Sequence, residues 1–159
     1  MWHAIRALPT ASRLTEHDLF ALDSYSGPEF SRLNEALRAG RLDQLTRDKV
    51  EALRAALTKL PDYTGTVYRG TELPPAVLAR YRLGNVIEET AFLSTSTKNG
   101  TFTGAVRFRI ASKHGKQIGE YSRRPGENEV LFAPGSRFEV VKRKYNQLTA
   151  TTSIHLTQI

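Results

Sequence analysis

The sequence predicts an α+β fold, with helices first and a mostly antiparallel β-sheet after them. Two observations carry this prediction. Up to Pro61 the apolar residues recur at helical spacing, separated by cap and stop signals. Beyond Pro61 the apolar runs become short, alternate along the chain and are punctuated by turn residues. Elements segregated in this way pack helices against a sheet, whereas a doubly wound fold alternates them.

The helical elements follow in order. Thr15 with Asp18 three residues on has the form of a capping box and opens a helix through Leu19 and Leu22. Ser26-Gly27-Pro28 marks a second start, because proline in the first helical turn lacks only an N–H that would be orphaned anyway. Phe30, Leu33 and Leu37 continue that helix to a stop at Gly40. A third helix begins near Thr46 and carries Val50, Leu53, Leu57 and Leu60 on one face until Pro61.

The strand region opens with Thr66-Val67-Tyr68-Arg69, ending at Gly70. Pro74-Pro75 starts a short helix through Leu78 and Tyr81, closed by Gly84, and Ala91 to Ser96 is the next strand. Lys98 to Gly104 reads as a loop, and Ala105 to Ile110 alternates, with Val106, Phe108 and Ile110 on one side and Arg107 and Arg109 on the other. Further strand is expected within Lys116 to Tyr121. Val130–Phe132 and Phe138–Val141 flank Pro134-Gly135, an order that suits a type II turn, and Thr152 to Leu156 is the last strand.

The chain of 159 residues is expected to form a single domain, 1–159, burying roughly 70% of its unfolded surface. Its 40% hydrophobic and 25% charged composition is that of an ordinary soluble protein. No apolar run suits a membrane helix, and Met1 to Pro9 lacks the apolar centre of a signal peptide. The absence of cysteine excludes disulfides, thiolate metal sites and a cysteine nucleophile. His3, His17, His114 and His155 are scattered without ligand spacing, so no metal is expected. Neither a Rossmann fingerprint, nor a P-loop, nor a G-x-S-x-G elbow is present. The net charge of +7 favours anionic partners.

Chemistry concentrates in three pieces: Tyr68-Arg69-Gly70, Phe92-Leu93-Ser94-Thr95-Ser96, and Glu127-Asn128-Glu129 ahead of Val130-Leu131-Phe132. An arginine at a strand end can fork onto an anionic group. The hydroxyls of Ser94 and Ser96 alternate onto one face, where they can orient a carboxylate or a ribose. If Glu127 and Glu129 both lie on extended backbone, they share a face about 7 Å apart. That is close enough to serve one reacting centre in separate roles.

The order and spacing of these pieces resemble the mono-ADP-ribosyltransferases of the arginine–serine–glutamate class, which includes cholera toxin-like and clostridial binary toxin enzymes. The resemblance extends over the helical segment from Tyr25 to Pro61 and onward through Pro134-Gly135 and Phe138. It implies helices packed on a split, mostly antiparallel sheet, NAD as co-substrate and no metal. Arg69 matches the arginine that contacts the NAD phosphates, with Gly70, Thr95 and Ser96 among the cofactor-contacting positions. Ser94 matches the serine that holds the catalytic glutamate, Glu129 that glutamate, and Glu127 the upstream residue that engages the target nucleophile. Gly119 to Gly126, with Tyr121, Ser122, Arg123 and Arg124, matches a substrate-recognition loop. Lys98 to Gly104 takes the place of the phosphate–nicotinamide loop, with Phe102 positioned to stack on nicotinamide.

The resemblance further implies transfer of ADP-ribose to arginine on a target protein. The enzyme would be a toxin or effector, secreted or injected and active in the target-cell cytosol, with a cognate immunity protein as a further partner and no membrane association. A toxin domain within a larger protein fits that expectation. Two other readings stand beside it. Arg123-Arg124 and Lys142-Arg143-Lys144-Tyr145 motivate RNA as the acceptor, with water a lesser variant. A basic binding module of the same fold without turnover is the third.

Overall fold

A computed structural model describes residues 13–25, 30–121 and 125–159. Helix α1 (Glu16–Tyr25) starts at the expected capping box. The Asp18 N–H donates to Thr15 Oγ1 at 3.1 Å, and the Thr15 N–H donates to Asp18 Oδ2 at 2.9 Å. Asp18 is buried and also pairs with Lys59, which ties the start of α1 to the end of α3 (Gln44–Thr58). Helix α2 (Phe30–Ala39) ends at Gly40, whose φ of 68° suits glycine. There the Gly40 N–H reaches the Leu37 carbonyl and the Arg41 N–H reaches that of Ala36, the paired bonds of a Schellman stop. The expected start of α2 at Ser26-Gly27-Pro28 lies outside the described residues, as do Met1 to Pro9. Helix α3 begins at Gln44, slightly before the expected Thr46, because Asp43 caps it by accepting from the Thr46 N–H at 2.7 Å.

Seven strands follow: β1 (Asp62–Thr71), β2 (Val86–Glu89), β3 (Leu93–Ser96), β4 (Val106–Gln117), β5 (Glu129–Phe132), β6 (Ser136–Asn146) and β7 (Thr151–Gln158), with the single-turn helix α4 (Pro75–Leu78) after β1. They form one sheet in the order β1-β3-β5-β4-β7-β6-β2, with β1 also paired to β4. All pairings are antiparallel except β4–β7. Strand β4 is where the sheet divides. β1 runs along β4 from Val106 to Lys116, while β7 pairs with Val106 to Ala111 and β5 with Lys116 and Gln117. β3 touches β1 at a single register pair, Tyr68↔Ser96, so the β3–β5 branch diverges from the β7–β6–β2 branch.

Each branch has its own core. Leu22, Leu53, Leu57, Phe92, Ile118 and Leu131 join the helices to one side of β5, and Val67, Ile110, Val130, Phe132, Phe138 and Ile154 fill the other. β5 is buried on both faces, which explains its continuous apolar run.

Several strand expectations need correction. β2 was not expected: its outer residues are exposed and only Ile87 and Glu89 are half-buried, so an edge strand this short has almost no hydrophobic pattern. β1 begins at Asp62 and not at Thr66, since its first residues are polar and pair with β4 across a bulge between Tyr63 and Gly65. Helix α4 stops at Leu78, short of Tyr81. β4 runs on to Gln117, which absorbs Lys116, and the remainder of the expected strand is a 3₁₀ turn at Gly119–Tyr121. Pro134-Gly135 does turn as expected, with Gly135 at φ 92° and the Ser136 N–H on the Ala133 carbonyl at 3.2 Å.

Candidate active site

Alternation along β1 sends Val67 into the core and Arg69 to the same side, at the rim, where its guanidinium is half-buried. Nη1 of Arg69 donates to the Ser94 carbonyl at 2.9 Å. Burial lowers the pKa of Arg69 below the usual arginine value, with the phenol of Tyr25 acting against it and Arg38 in the same direction. The guanidinium remains a cation. Ser94 is the second residue of β3, opposite Leu131, and its hydroxyl donates to Glu129 Oε2 at 2.5 Å. Arg69, Ser94 and Glu129 therefore form one continuous hydrogen-bonded chain across β1, β3 and β5. Glu129 is 5% exposed, so its carboxylate is held by the protein and little hydrated.

Ser96 ties neighbouring loops together. Its hydroxyl donates to the Glu127 carbonyl, lies 3.0 Å from the Thr101 hydroxyl and accepts from the Lys98 N–H. Thr95 is fully buried, and its hydroxyl donates to the Val130 carbonyl at 2.7 Å.

The paired glutamates do not lie on one strand as the sequence suggested. Glu127 belongs to the 3₁₀ turn Pro125–Glu127, and only Glu129 starts β5. Between them Asn128 takes the left-handed conformation, φ 48°, which asparagine tolerates better than most residues. The strand-face argument for their proximity therefore fails, and a turn sets the two carboxylates instead. Glu127 is half-exposed while Glu129 is buried, so the two occupy different environments. Of the expected recognition loop, Gly119–Tyr121 and Pro125–Glu127 are 3₁₀ turns, whereas Ser122, Arg123 and Arg124 lie outside the described residues.

Gly70 has a steric role. A Cβ there would stand 2.4 Å from the backbone oxygen of Phe102, and a Cβ on Gly104 would stand 2.3 Å from that of Thr71. The loop from Lys98 to Gly104 thus crosses the end of β1 in direct backbone contact, beside Arg69. Glu72 fastens its far end by accepting from the Ala105 N–H at 3.0 Å. Phe102 rides on this crossing, half-exposed.

The structure adds residues that sequence reasoning missed. Asn34 is buried on α2, and its amide clamps the backbone of Phe92, accepting from the N–H at 3.0 Å and donating to the carbonyl at 3.2 Å. This clamp fixes the lead into β3 and hence Ser94. Tyr25 packs its ring on Phe92 and Phe30, with centroids 5.7 and 5.3 Å apart. Its hydroxyl is buried beside the Asn34 side chain, without a hydrogen bond of good geometry among the described residues. Burial and then the Glu129 carboxylate raise the pKa of that phenol. Arg38, one helical turn beyond Asn34, meets Glu89 at 3.6 Å. Arg38, Arg69, Tyr81 and Glu89 line a cleft of about 300 Å³ floored by Leu93, Phe108 and Phe138.

One signal was present in the sequence: Asn34 falls on the apolar stripe of Phe30, Leu33 and Leu37, and a polar residue on such a stripe needs a buried partner. Among the described residues no group of three or more metal-binding side chains assembles, and no helix is long and apolar enough to cross a membrane.

Two guanidinium groups, Arg38 and Arg69, line one cleft, and Arg69 is linked through Ser94 to the buried carboxylate of Glu129, with the Glu127 carboxylate nearer solvent. The family model described as NAD:arginine ADP-ribosyltransferase matches residues 1–159. The Mav protein of Mycobacterium avium strain 104 is 45% identical over 148 residues, covering 90% of this chain and 18% of that protein. The NAD(+)–protein-arginine ADP-ribosyltransferase Tre1 of Serratia proteamaculans strain 568 is 36% identical over 136 residues, covering 82% of this chain and 30% of that protein. The chain thus spans less than a third of the length of these curated relatives. The crystal structure of the type III effector XopAI from Xanthomonas axonopodis pv. citri superposes with a TM-score of 0.86 at 29% identity, covering 100% of this chain and 74% of that one.

Proposed function

Because the chain belongs to the NAD:arginine ADP-ribosyltransferase family, we propose that it transfers ADP-ribose from NAD to an arginine side chain of a protein and releases nicotinamide. The hydrogen-bonded chain from Arg69 through Ser94 to Glu129 is the observation that carries this reading.

Breaking the bond between nicotinamide N1 and ribose C1′ leaves its electron pair on nitrogen, so nicotinamide departs neutral without needing a strong acid. Positive charge develops on the ribose, as in glycoside cleavage. Glu129, accepting the ribose 2′-hydroxyl, stabilises that charge more in the transition state than in the ground state. The hydroxyl of Ser94 keeps the carboxylate aimed. Arg69 and Arg38 face the same cleft and supply two fixed cations for the diphosphate. Phe102, carried across Gly70, meets the nicotinamide ring. Glu127, nearer solvent, binds the incoming guanidinium in a forked ion pair. As a guanidine nitrogen attacks C1′, its proton passes to that carboxylate.

Transfer to protein arginine is preferred over RNA because the family description is arginine-directed. The likeness to a type III effector supports action inside a target cell. The test is to incubate the protein with NAD and the small guanidine agmatine. Release of nicotinamide with formation of ADP-ribosylagmatine is expected. Absence of nicotinamide release would overturn the proposal.

A further inference from the structure

The outer face of the sheet carries a block of positive charge that neither the cleft nor the core uses. Register pairing sets Lys142, His155, Arg109 and Tyr68 in one row across β6, β7, β4 and β1, and Lys144, Ser153, Arg107 and Gly70 in the next. Neighbouring strands lie about 4.8 Å apart and the two rows about 7 Å apart. Arg107, Arg109, Lys142 and Lys144 are exposed. None of the four forms an ion pair among the described residues.

A β-bulge assembles this face. In β6, Phe138 and Val140 point into the core, and simple alternation would send Lys142 and Lys144 in after them. The register slips between Val140, opposite Leu156, and Lys142, opposite His155, so Val141 is an extra residue. That one insertion reverses the phase. Arg143 turns inward instead, where Nη1 donates to the carbonyls of Leu78 at 3.0 Å and Tyr81 at 2.9 Å. Lys142 and Lys144 turn outward beside Arg109 and Arg107.

The hairpin joining β6 to β7 adds an apolar contact. Leu148 is 97% exposed, in a turn fixed by its N–H on Asn146 Oδ1 at 2.9 Å. Single-stranded nucleic acid is held by stacking platforms, and the two rings in these rows, Tyr68 and His155, are both half-buried. Exposed cations flanked by the hydroxyl of Ser153 and an exposed leucine, and bounded by Glu139 in the next row, suit a carboxylate-rich protein surface with an apolar centre.

We propose that this face is an exosite that docks an acidic surface of the protein acceptor while the arginine of that acceptor enters the cleft. The proposal rests on the reading of the site as an arginine-modifying one. β1 connects the two, since Tyr68 belongs to the basic face and Arg69 to the cleft.

The test uses an arginine peptide joined through a Gly/Ser linker of about 20 residues to a run of Asp, Glu and Leu, long enough to engage both places at once. The same peptide with Ser in place of the acids, agmatine, and a single-stranded RNA oligonucleotide of equal charge complete the set. Binding is read by fluorescence anisotropy and transfer by kcat/KM. The acidic peptide is expected to bind about tenfold tighter than its neutral counterpart at low salt, and the advantage shrinks as salt rises. Combining Arg107→Glu, Arg109→Glu, Lys142→Glu and Lys144→Glu removes that advantage in both assays and leaves agmatine transfer within about twofold of the parent. A second variant with Gln at the four positions, lacking introduced repulsion, should lose most of it too.

Equal binding of the acidic and neutral peptides by the parent protein overturns the proposal. So does an acidic preference that survives in both variants, or displacement of the acidic peptide by the oligonucleotide at lower concentration. If the parent modifies neither agmatine nor peptide, the proposed transfer activity falls, while the binding assay still decides the docking face.

Discussion

Replacing Ser94 with Ala removes one hydroxyl and leaves the rest of the site in place. The Ser94 carbonyl that holds Arg69 is backbone and survives the change, so the variant isolates the bond to Glu129 Oε2. That bond is an O–H donor on a carboxylate at 2.5 Å, in surroundings that leave Glu129 5% exposed. Hydrogen bonds to charged groups contribute about 1.5–3 kcal/mol. With roughly 1.4 kcal/mol per tenfold in rate, the loss in kcat should be about 10- to 150-fold. The assay is nicotinamide release over a range of NAD concentrations. If, as proposed, Ser94 aims a group that acts in the transition state, kcat should fall while KM for NAD stays within about threefold. Ser94→Cys, with its weaker donor, should fall between the two. A kcat for Ser94→Ala within about twofold of the parent would refute the reasoning, as would a loss confined to KM.

Further outcomes follow from other contacts. Gly70→Ala drives a Cβ against the backbone of Phe102, so the loop must shift. Thermal unfolding should report a cost of about 1–3 kcal/mol, and KM for NAD should rise about tenfold, equivalent to roughly 1.4 kcal/mol. Tyr25→Phe removes a buried hydroxyl that lies near Asn34 but makes no hydrogen bond of good geometry among the described residues. Urea unfolding should show the variant about 1 kcal/mol more stable; a loss of similar size would mean that the hydroxyl is satisfied. Stability should decline in two acid windows. Burial, then Lys142 and Arg109, lower the pKa of His155 from 6.5, so the fold favours its neutral form and that contribution is lost as pH falls below 6.5. Burial alone would raise the pKa of Asp18, but bonds from Lys59 and Thr15 outweigh it and lower the pKa from 3.8. That contribution is complete above 3.8 and lost as pH falls through the lowered value. Urea unfolding against pH should show both, and His155→Gln should abolish the upper window alone.

The helical third of the chain was legible because its signals are local. Thr15 and Asp18, Gly40, and the stripe through Val50, Leu53 and Leu57 each declare an element within one or two turns. The pieces around Arg69, Ser94 and Glu129 were also legible, and the fold brings those three side chains into one chain. What escaped depends on pairing across the sheet. β2 has too few inward residues to show a period, and the polar start of β1 is strand only because β4 lies beside it. Glu127 and Glu129 looked like strand neighbours because alternation says nothing of the left-handed Asn128 between them. The extra Val141 is likewise invisible in sequence, yet it reverses the phase of every residue after it in β6. Asn34 and Tyr25 belong to helices, but what they meet lies far along the chain: Phe92 just ahead of β3 for Asn34, and Phe92 and the Glu129 charge in β5 for Tyr25.

The division of labour between the two glutamates is tested most directly by measuring nicotinamide release to water and transfer to agmatine side by side in Glu129→Gln and Glu127→Gln. Glu129→Gln should lose both activities by about two or more powers of ten, since in the proposed mechanism its carboxylate acts on the ribose whatever the acceptor. Glu127→Gln should lose transfer while retaining most of the hydrolysis. Equal losses of both activities in Glu127→Gln, or near-normal release by Glu129→Gln, would contradict the assignment.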